Sequence, residues 1–381
     1  MKQLLSVLLV LCLLLGLAAC GKKDEPIEKE TPATTENKPE PEPTPAPEKE
    51  TEQETETETE EDPVIRHPLN GSVLEEEWTG RVTTVVLGNS KDALPQCGIN
   101  EADIMYEAET EGGTTRFLAV YDEVETLVTV GPIRSARTFF NNVTQSYGGV
   151  IIHCGGSVRG RNGYHDLSGN KISGWEHVDA RYHDAGAEKY KETMFYRDAA
   201  RSSAGYNYEH TMFITGQALV HLINKYEYAT TSETALNSGL AFAETVALEG
   251  TAANTAVVNF AVYKTTTFTY DQQTGLYSAA QYGENLIDGN TNEVSQFKNL
   301  LVLSATQHTK SDGEYPRSYY DLVGSGKGYL VIDGQSVAIN WSRETLESPF
   351  SYTLEDGSAV QLAPGRTYIA ITSASEPLTC Q

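Results

Sequence analysis

The sequence predicts an α+β protein in which a mixed α/β domain is followed by a predominantly β domain. Two observations lead to this prediction. Up to about residue 235, β-branched runs alternate with stretches of helical periodicity, a pattern typical of mixed α/β domains. Farther along the chain, short strand-like runs are separated by turn signals such as Asp333-Gly334 and Pro364-Gly365, which are typical of a meander or sandwich.

The first twenty residues predict a lipoprotein signal peptide. Lys2 supplies a short positive region, and the apolar run 4–17 is too short to span a bilayer comfortably. The run ends in Leu17-Ala18-Ala19-Cys20, a lipobox pattern in which the cysteine receives the lipid. We therefore expect Cys20 to carry the lipid (palmitate among its acyl chains) and to hold the chain at the extracytoplasmic face of the cell membrane. An ordinary cleaved signal peptide is the alternative.

Residues 21–62 predict a disordered acidic tether. The segment is rich in Pro, Glu and Thr and holds 16 acidic and 5 basic residues, so it has almost nothing to bury. Proline and charge repulsion extend such a chain, here to at most about 140 Å. Because the whole chain has a net charge of −25, nucleic acid is a poor partner and we predict none.

The first folded domain is predicted over residues 63–240. Residues 99–108 have a mixed apolar pattern that begins at Asn100, a residue type that caps helices. After residue 153, a stretch rich in Gly, Asp and His has only weak periodicity. Strands are predicted at 81–87, 114–121, 149–153 and 212–214, and helices at 135–147 and 217–225.

The second domain is predicted over residues 241–381 and consists mainly of strands. The boundary is placed between Asn237 and Asn254, where Ala, Gly, Thr and Asn dilute the pattern. The glycine-rich run 324–328 is interpreted as a turn, since it lacks the spacing of a phosphate-binding loop. The predicted strands are 256–263, 266–270, 275–281, 300–304, 328–332, 336–341 and 366–372.

Three segments of the first domain form a distinctive set: GINEADIMYEAETEGGTTRFLAVY (98–121), VGPIRSARTFF (130–140) and IIHCGGS (151–157). Together with 268–283, 320–335 and 339–343 in the second domain, they resemble the YerB-like family of bacterial lipoproteins. The resemblance implies a membrane-anchored extracytoplasmic protein with two domains of unknown function, and no established reaction. His210-Thr211 stands where the family has a His-Asn pair, so His210 is kept as a candidate cleft residue.

The segment around Arg134 and Arg137 predicts a binding corner for an anion. Ser135 is a good helix N-cap, so free N–H groups would point out of the helix start beside two guanidinium groups. Cations are unfavourable at this end of a helix unless they are paired. Two alternatives stay open: the anion is an internal carboxylate, or it is a bound carboxylate or phosphate.

An acidic block lies upstream of this corner. If the block is a strand, Glu107, Glu109 and Glu111 share one face and form a candidate cleft or acid/base group, with Asp103 and Arg116 as further candidates. The alternative is a solvated edge with an ion pair to Arg116 or Arg134, and we favour it. Spacing along the chain does not fix spacing between the carboxylates in space.

His153 and Cys154 are adjacent at the end of a predicted strand. Neighbouring side chains in a strand point to opposite faces, so the two residues do not form a Cys-His dyad. His153 is kept as a pocket candidate because α/β sites often form at strand ends. Beyond the signal, Cys97, Cys154 and Cys380 allow one disulfide but imply none.

The remaining polar motifs give weaker signals. The triplets Tyr164-His165-Asp166 and Tyr182-His183-Asp184 fit either a site for a divalent metal ion or polar loop packing, and we favour loop packing. Ser157 has no nucleophile-elbow context. Trp341, with Tyr319 and Tyr320, fits either an aromatic sugar platform or core packing, and we favour the core. Since no zinc-ligand spacing occurs, we predict no metal site and no cofactor.

The sequence as a whole favours a binding or accessory module for a cell-envelope component or a partner protein. The module would use a cleft lined by Arg134, Arg137 and the acidic block. One alternative is a hydrolase or transferase acting on cell-wall glycan or peptide, with Glu107 or Glu111 as the acid and His153 or Asp103 assisting. A solute receptor is the third hypothesis. No motif supports a specific reaction, so we leave open whether the protein is an enzyme.

Overall fold

The computed structural model describes residues 64–156, 176–260, 264–311 and 315–381. Cys20, the tether, Ser157 and the triplet at 164–166 lie outside these residues. The described residues belong to one compact unit that extends from Glu61 to Gln381. None of the helices in these ranges is both long and apolar enough to cross a bilayer.

Up to residue 225 the chain forms seven strands and three α-helices in its described part, besides short 3-10 turns. The strands are β1 (Thr83–Asn89), β2 (Ile104–Glu109), β3 (Thr115–Tyr121), β4 (Val150–His153), β5 (Glu176–Asp179), β6 (Tyr196–Arg197) and β7 (Met212–Phe213). The α-helices are α1 (Thr138–Ser146), α2 (Ala199–Ser203) and α3 (Gly216–Lys225).

From residue 251 onward every regular α or β element among the described residues is a strand. These strands are β8 (Thr251–Ala252), β9 (Thr255–Asn259), β10 (Thr265–Asp271), β11 (Leu276–Gln281), β12 (Glu284–Asn285), β13 (Gln296–Phe297), β14 (Asn299–Ser304), β15 (Gln307–Ser311), β16 (Pro316–Tyr320), β17 (Gly324–Ile332), β18 (Gln335–Arg343), β19 (Ser351–Leu354), β20 (Thr367–Thr372) and β21 (Leu378–Cys380).

One large sheet runs through both halves of the chain. Its strand order is β19-β18-β17-β14-β20-β2-β3-β1-β4-β5, with β8 paired to β18. The connection between the halves is β20, which pairs in parallel with β14 on one side and with β2 on the other. A smaller sheet has the order β12-β11-β10-β9-β21, with β13 paired to β11.

The large sheet is buried on both faces at its centre. In β1, Val85 and Leu87 belong to an apolar cluster with the smaller sheet and α3, whereas Val86 belongs to a second cluster with α1. All seven residues of β1 and all seven of β3 are buried. Strands covered on both sides are apolar at most positions, which explains the near-continuous hydrophobic runs in the middle of these segments.

The fold is predominantly β, and the prediction of a mixed α/β first domain agrees with it only in part. Continuous apolar runs are typical of parallel α/β sheets, and that pattern led to the prediction. Here β1 is parallel to β4 but antiparallel to β3, and a second sheet supplies much of the covering layer that helices supply in α/β folds. The prediction of a strand-rich second half agrees with the structure. The boundary near residue 240 stays a prediction.

Residues 104–109, whose mixed pattern left helix and strand open, form strand β2, and the backbone N–H of Asn100 donates to Asp288 (3.0 Å). The expectation of a turn at 324–328 was wrong, because this run is part of β17. Glycine is needed there because a Cβ on Gly326 would lie 2.5 Å from the indole ring of Trp341 on the paired strand.

Candidate functional site

Helix α1 begins at Thr138, three residues after the predicted cap. Arg137 occupies the N-cap position, and its side chain makes no capping hydrogen bond. Ser135 lies in an extended segment beside residues 154–156, where its hydroxyl donates to the Cys154 carbonyl (2.9 Å). The prediction that Ser135 caps the helix is therefore wrong, because its hydroxyl is used to attach this segment to the end of β4.

The carboxylate that faces Arg137 is that of Glu111. Nε of Arg137 donates to both carboxylate oxygens (2.8 and 3.0 Å), and a second guanidinium nitrogen donates to Oε2. The backbone N–H of Ser318 in β16 also donates to Oε1 (2.9 Å). Burial by itself would raise the pKa of Glu111, but the hydrogen bonds and charge of Arg137 hold it below its usual value.

Two further arginines surround this ion pair. Arg116, from β3, donates to the Ser135 carbonyl. The pKa of Arg116 is well below its ordinary value because the side chain is buried and the charges of Arg137 and Arg134 lie nearby. Arg317, from β16, places a guanidinium nitrogen 3.8 Å from Glu111.

Arg134 extends from the same corner toward the loop that precedes β7. Its guanidinium donates to Nδ1 of His210 (3.1 Å) and lies 3.3 Å from the Glu209 carboxylate, which is largely exposed. Burial, together with the charge of Arg134, lowers the pKa of His210, so the imidazole is the neutral acceptor in this contact. The predicted residues Arg134, Arg137 and His210 thus lie in one region of the molecule.

We call Arg116, Arg134, Arg137 and Arg317 the arginine cluster. Arg116 lies within electrostatic reach of the other three guanidinium groups and of Glu111. Arg137 and Arg317 face the Glu111 carboxylate, whereas Arg134 pairs with Glu209 at the outer edge. This excess of positive charge contrasts with the net charge of −25 of the chain. Sequence reasoning missed Arg317, because β16 lies far along the chain and only the fold brings it to this corner.

Glu107 does not lie at this corner. The hypothesis that it shares an open acidic face with Glu109 and Glu111 is therefore wrong. Its carboxylate is fully buried between the two sheets. It accepts hydrogen bonds from Asn89 (2.8 Å), Thr266 (2.8 Å), Gln281 (3.1 Å), Tyr368 (2.7 Å) and Thr115. Nζ of Lys264 lies 3.6 Å away and is also buried. A carboxylate enclosed in this way cannot meet a glycan.

The other acidic candidates lie apart from each other. Glu109 is half-buried at the end of β2, and burial raises its pKa. Asp103, just before β2, accepts from Nδ2 of Asn70 (2.7 Å) and from the N–H of Asp122 (3.0 Å). Burial and the Asp122 carboxylate raise the pKa of Asp103 to about 6. Asp103 and Glu107 do not form an acid/base pair with Glu111, because each is held by a different set of neighbours.

His153 is buried at the end of β4 and does not line the arginine cluster. Its Nδ1 lies 2.8 Å from the Gly155 carbonyl, and its Nε2 lies 3.1 Å from Nδ1 of His177. Burial lowers the pKa of His153 to about 4, against the opposing charge of Asp179. The imidazole is therefore a neutral structural group at neutral pH.

The surroundings of the three cysteines and of the triplet Tyr182-His183-Asp184 indicate structural roles. Cys97, Cys154 and Cys380 are free thiols, and burial raises the pKa of Cys154, which does not favour a nucleophile. In the triplet at 182–184, His183 contacts the Tyr226 hydroxyl (2.5 Å) and Asp184 pairs with Arg197 (3.0 Å). Trp341, Tyr319 and Tyr320 are buried, as the core-packing interpretation predicted.

The comparisons with known proteins agree with one another. The family described as "Protein of unknown function (DUF3048) N-terminal domain" matches residues 69–229, and the corresponding C-terminal domain family matches residues 256–369. The chain is 26% identical to the Bacillus subtilis (strain 168) protein named "Putative lipoprotein YerB", over 81% of this chain and 86% of that protein.

A solved structure supports the fold. The crystal structure of YerB protein from Bacillus subtilis superposes with a TM-score of 0.67 at 23% identity, covering 83% of this chain and 99% of that one. The relative's description as a lipoprotein is consistent with a lipid anchor to the membrane. The chain belongs to the YerB-like family, whose N-terminal and C-terminal domains are both of unknown function.

Proposed function

We propose that this chain is a lipid-anchored extracytoplasmic protein that binds an anionic component of the cell envelope at the arginine cluster. The observation that carries the proposal is the gathering of four guanidinium groups at one corner of a strongly acidic protein, where Glu111 and Glu209 are the two paired carboxylates. Guanidinium forks match the geometry of carboxylates and phosphates and bind both in a bidentate manner.

The members of the cluster divide into a support and a contact surface. The side chain of Arg137 is 4% exposed and is held by Glu111, so this pair shapes the corner. The side chains of Arg134 and Arg317 are 18% and 22% exposed and can reach a ligand at the surface. Like charges at this density repel one another, so an added anion would lower the electrostatic energy of the folded protein.

The net charge of the chain also favours binding of an anion at one local site over a general attraction between the protein and polyanions. A chain of net charge −25 repels polyanions at long range, so an anion would be retained only where the positive groups converge. Carboxylate-bearing wall peptides and phosphodiester polymers share the required chemistry. The hydrolase alternative receives no support from Glu107, since its carboxylate is enclosed by five hydrogen-bond donors.

The binding test uses the double variant Arg134→Gln/Arg317→Gln. We expect it to fold and to lose at least about tenfold in affinity for cell-wall fragments in a co-sedimentation assay, because it removes the two accessible charges. The matched control is Arg66→Gln, whose side chain is 17% exposed and also pairs with an exposed glutamate, Glu244. Equal retention of the fragments by the double variant and the control would overturn the proposal.

The anchor is tested separately. Replacement Cys20→Ser should move the protein from the membrane fraction to the soluble fraction without changing its affinity for wall fragments. Continued membrane association of this variant would exclude Cys20 as the attachment point.

A further inference from the structure

A second cluster of ligand-type side chains lies at the start of β2, whereas Glu111 and the arginine cluster lie beyond its other end. This second cluster consists of His67, before β1, Asp103, just before β2, and Asp122, just after β3. One atom from each side chain lies within 4.8 Å of the other two, and this is the only group of three metal-ligand residues in such proximity within the described ranges. We propose that these three residues bind one divalent transition-metal cation.

The spacing within the group suits a metal better than a hydrogen bond. Nε2 of His67 lies 3.4 Å from Oδ2 of Asp122. Ligands about 2.1 Å from a tetrahedral zinc ion are separated by roughly 3.4 Å. The side chain of His67 is only 4% exposed, and its Nε2 has no hydrogen-bond partner. A buried polar atom without a partner is costly, and a cation between His67 and Asp122 would satisfy it.

The hydrogen bonds of Asp103 also orient its carboxylate for metal binding. Each oxygen of Asp103 accepts one hydrogen bond, from Asn70 or from the Asp122 backbone, which fixes the group and leaves a second lone pair on each oxygen. Hydrogen bonds of this kind orient metal ligands in known sites. Two carboxylates in contact repel one another, and a divalent cation turns that repulsion into attraction.

The group is reachable from solvent. The Asp122 side chain is 33% exposed, so a cation can enter from that side. His67 also borders an open cavity with Arg66, Ser238 and Phe242. One imidazole and two carboxylates favour zinc, manganese or a similar ion, whereas calcium prefers six to eight oxygen ligands.

Binding has one local cost. The N–H of Leu69 points at Nδ1 of His67 (3.3 Å), so Nε2 carries the proton in the neutral ring. A metal at Nε2 requires the proton at Nδ1, and the turn at 67–69 must therefore relax. We expect the Leu69 amide signal to shift when the site is loaded.

The test is a zinc titration of the full-length protein in detergent after dialysis against a chelator. We expect one zinc ion per chain by calorimetry, a higher melting temperature, and a change in the fluorescence of Trp78, whose ring is 5.0 Å from that of His67. Asp122→Asn should weaken binding at least about tenfold. The matched control is Asp321→Asn, since Asp321 forms an exposed two-residue pair with His308 (2.7 Å).

Three results would overturn the proposal: no zinc-dependent heat or stabilisation, equal affinities for Asp122→Asn and Asp321→Asn, or an anomalous-scattering peak for zinc away from His67. The last measurement needs only the wild-type protein, so the site is tested even if Asp122→Asn fails to fold. The proposal is independent of the anion site and departs from the sequence-based expectation of no metal.

Discussion

At the scale of single residues, environment assigns different roles to side chains that look alike in the sequence. Glu107 and Glu111 lie four residues apart, yet one is enclosed between two sheets and the other is paired with Arg137 near the surface. The internal carboxylate, one of the two alternatives for the anion that faces Arg137, is therefore that of Glu111. The excess of guanidinium groups around that pair is what supports an external ligand as well.

Glu107 gives a prediction about stability. Glu107→Gln should lower the free energy of unfolding by about 3 kcal/mol, because it leaves Lys264 as an uncompensated buried charge and turns one acceptor into a donor facing other donors. Glu109→Gln, two residues along the same strand, should change it by less than about 1 kcal/mol. Denaturant unfolding followed by circular dichroism measures both. Equal losses would show that the network around Glu107 contributes no special stability.

His153 gives a prediction about pH. Its pKa is about 4 in the folded protein and about 6.5 when unfolded, so the unfolded state binds the proton first as pH falls. This contribution to stability is fully present above pH 6.5 and is lost between pH 6.5 and pH 4. The free energy of unfolding should fall by about 2 kcal/mol more between pH 7 and pH 5 in the wild type than in His153→Gln.

The control for this pH effect is His221→Gln, which removes an exposed imidazole from α3. Its stability should follow the wild-type pH profile. A His153→Gln profile that also parallels the wild type would contradict a buried neutral imidazole, whose neighbours include His177, Asp179 and Arg181.

At the scale of elements, the sequence predicts strands well where apolar runs are bounded by turn residues. The predicted segments at 114–121, 149–153 and 366–372 agree with β3, β4 and β20 within a residue. The sequence left β2 undecided, because a helix-capping residue type precedes the strand and its alternation is hidden by Glu107, which is buried like its apolar neighbours. It also could not locate Arg317 or pair His67 with Asp122, since those contacts depend on strand order.

Strand β20 yields a prediction about folding of the halves. It is hydrogen-bonded to β14 and β2, so a fragment ending at residue 240 would expose an apolar edge of β2 to solvent. We expect residues 64–240 expressed alone to be unfolded or aggregated, as judged by dispersion of the amide NMR spectrum. Co-expression with residues 241–381 should restore a folded species. A well-dispersed spectrum of the first fragment alone would instead support independent domains.

At the scale of the whole molecule, the two halves of the chain share one large sheet. This acidic protein also concentrates positive charge at one corner, the arginine cluster. Arg116, Arg134 and Arg137 come from the first half, whereas Arg317 comes from the second. The corner therefore forms only when the two halves fold together. This dependence explains why short sequence motifs predict Arg116, Arg134 and Arg137 as candidates but not the arrival of Arg317 at the same corner.

The most direct measurement of the central claim is an NMR titration that follows arginine Nε–H signals while purified wall fragments are added. The account predicts saturable shifts for Arg134 and Arg317, reduced by salt, with the Arg66 signal unchanged. Binding of the fragments without any change at Arg134 and Arg317, or with equal changes at Arg66, would contradict the arginine cluster as the binding site.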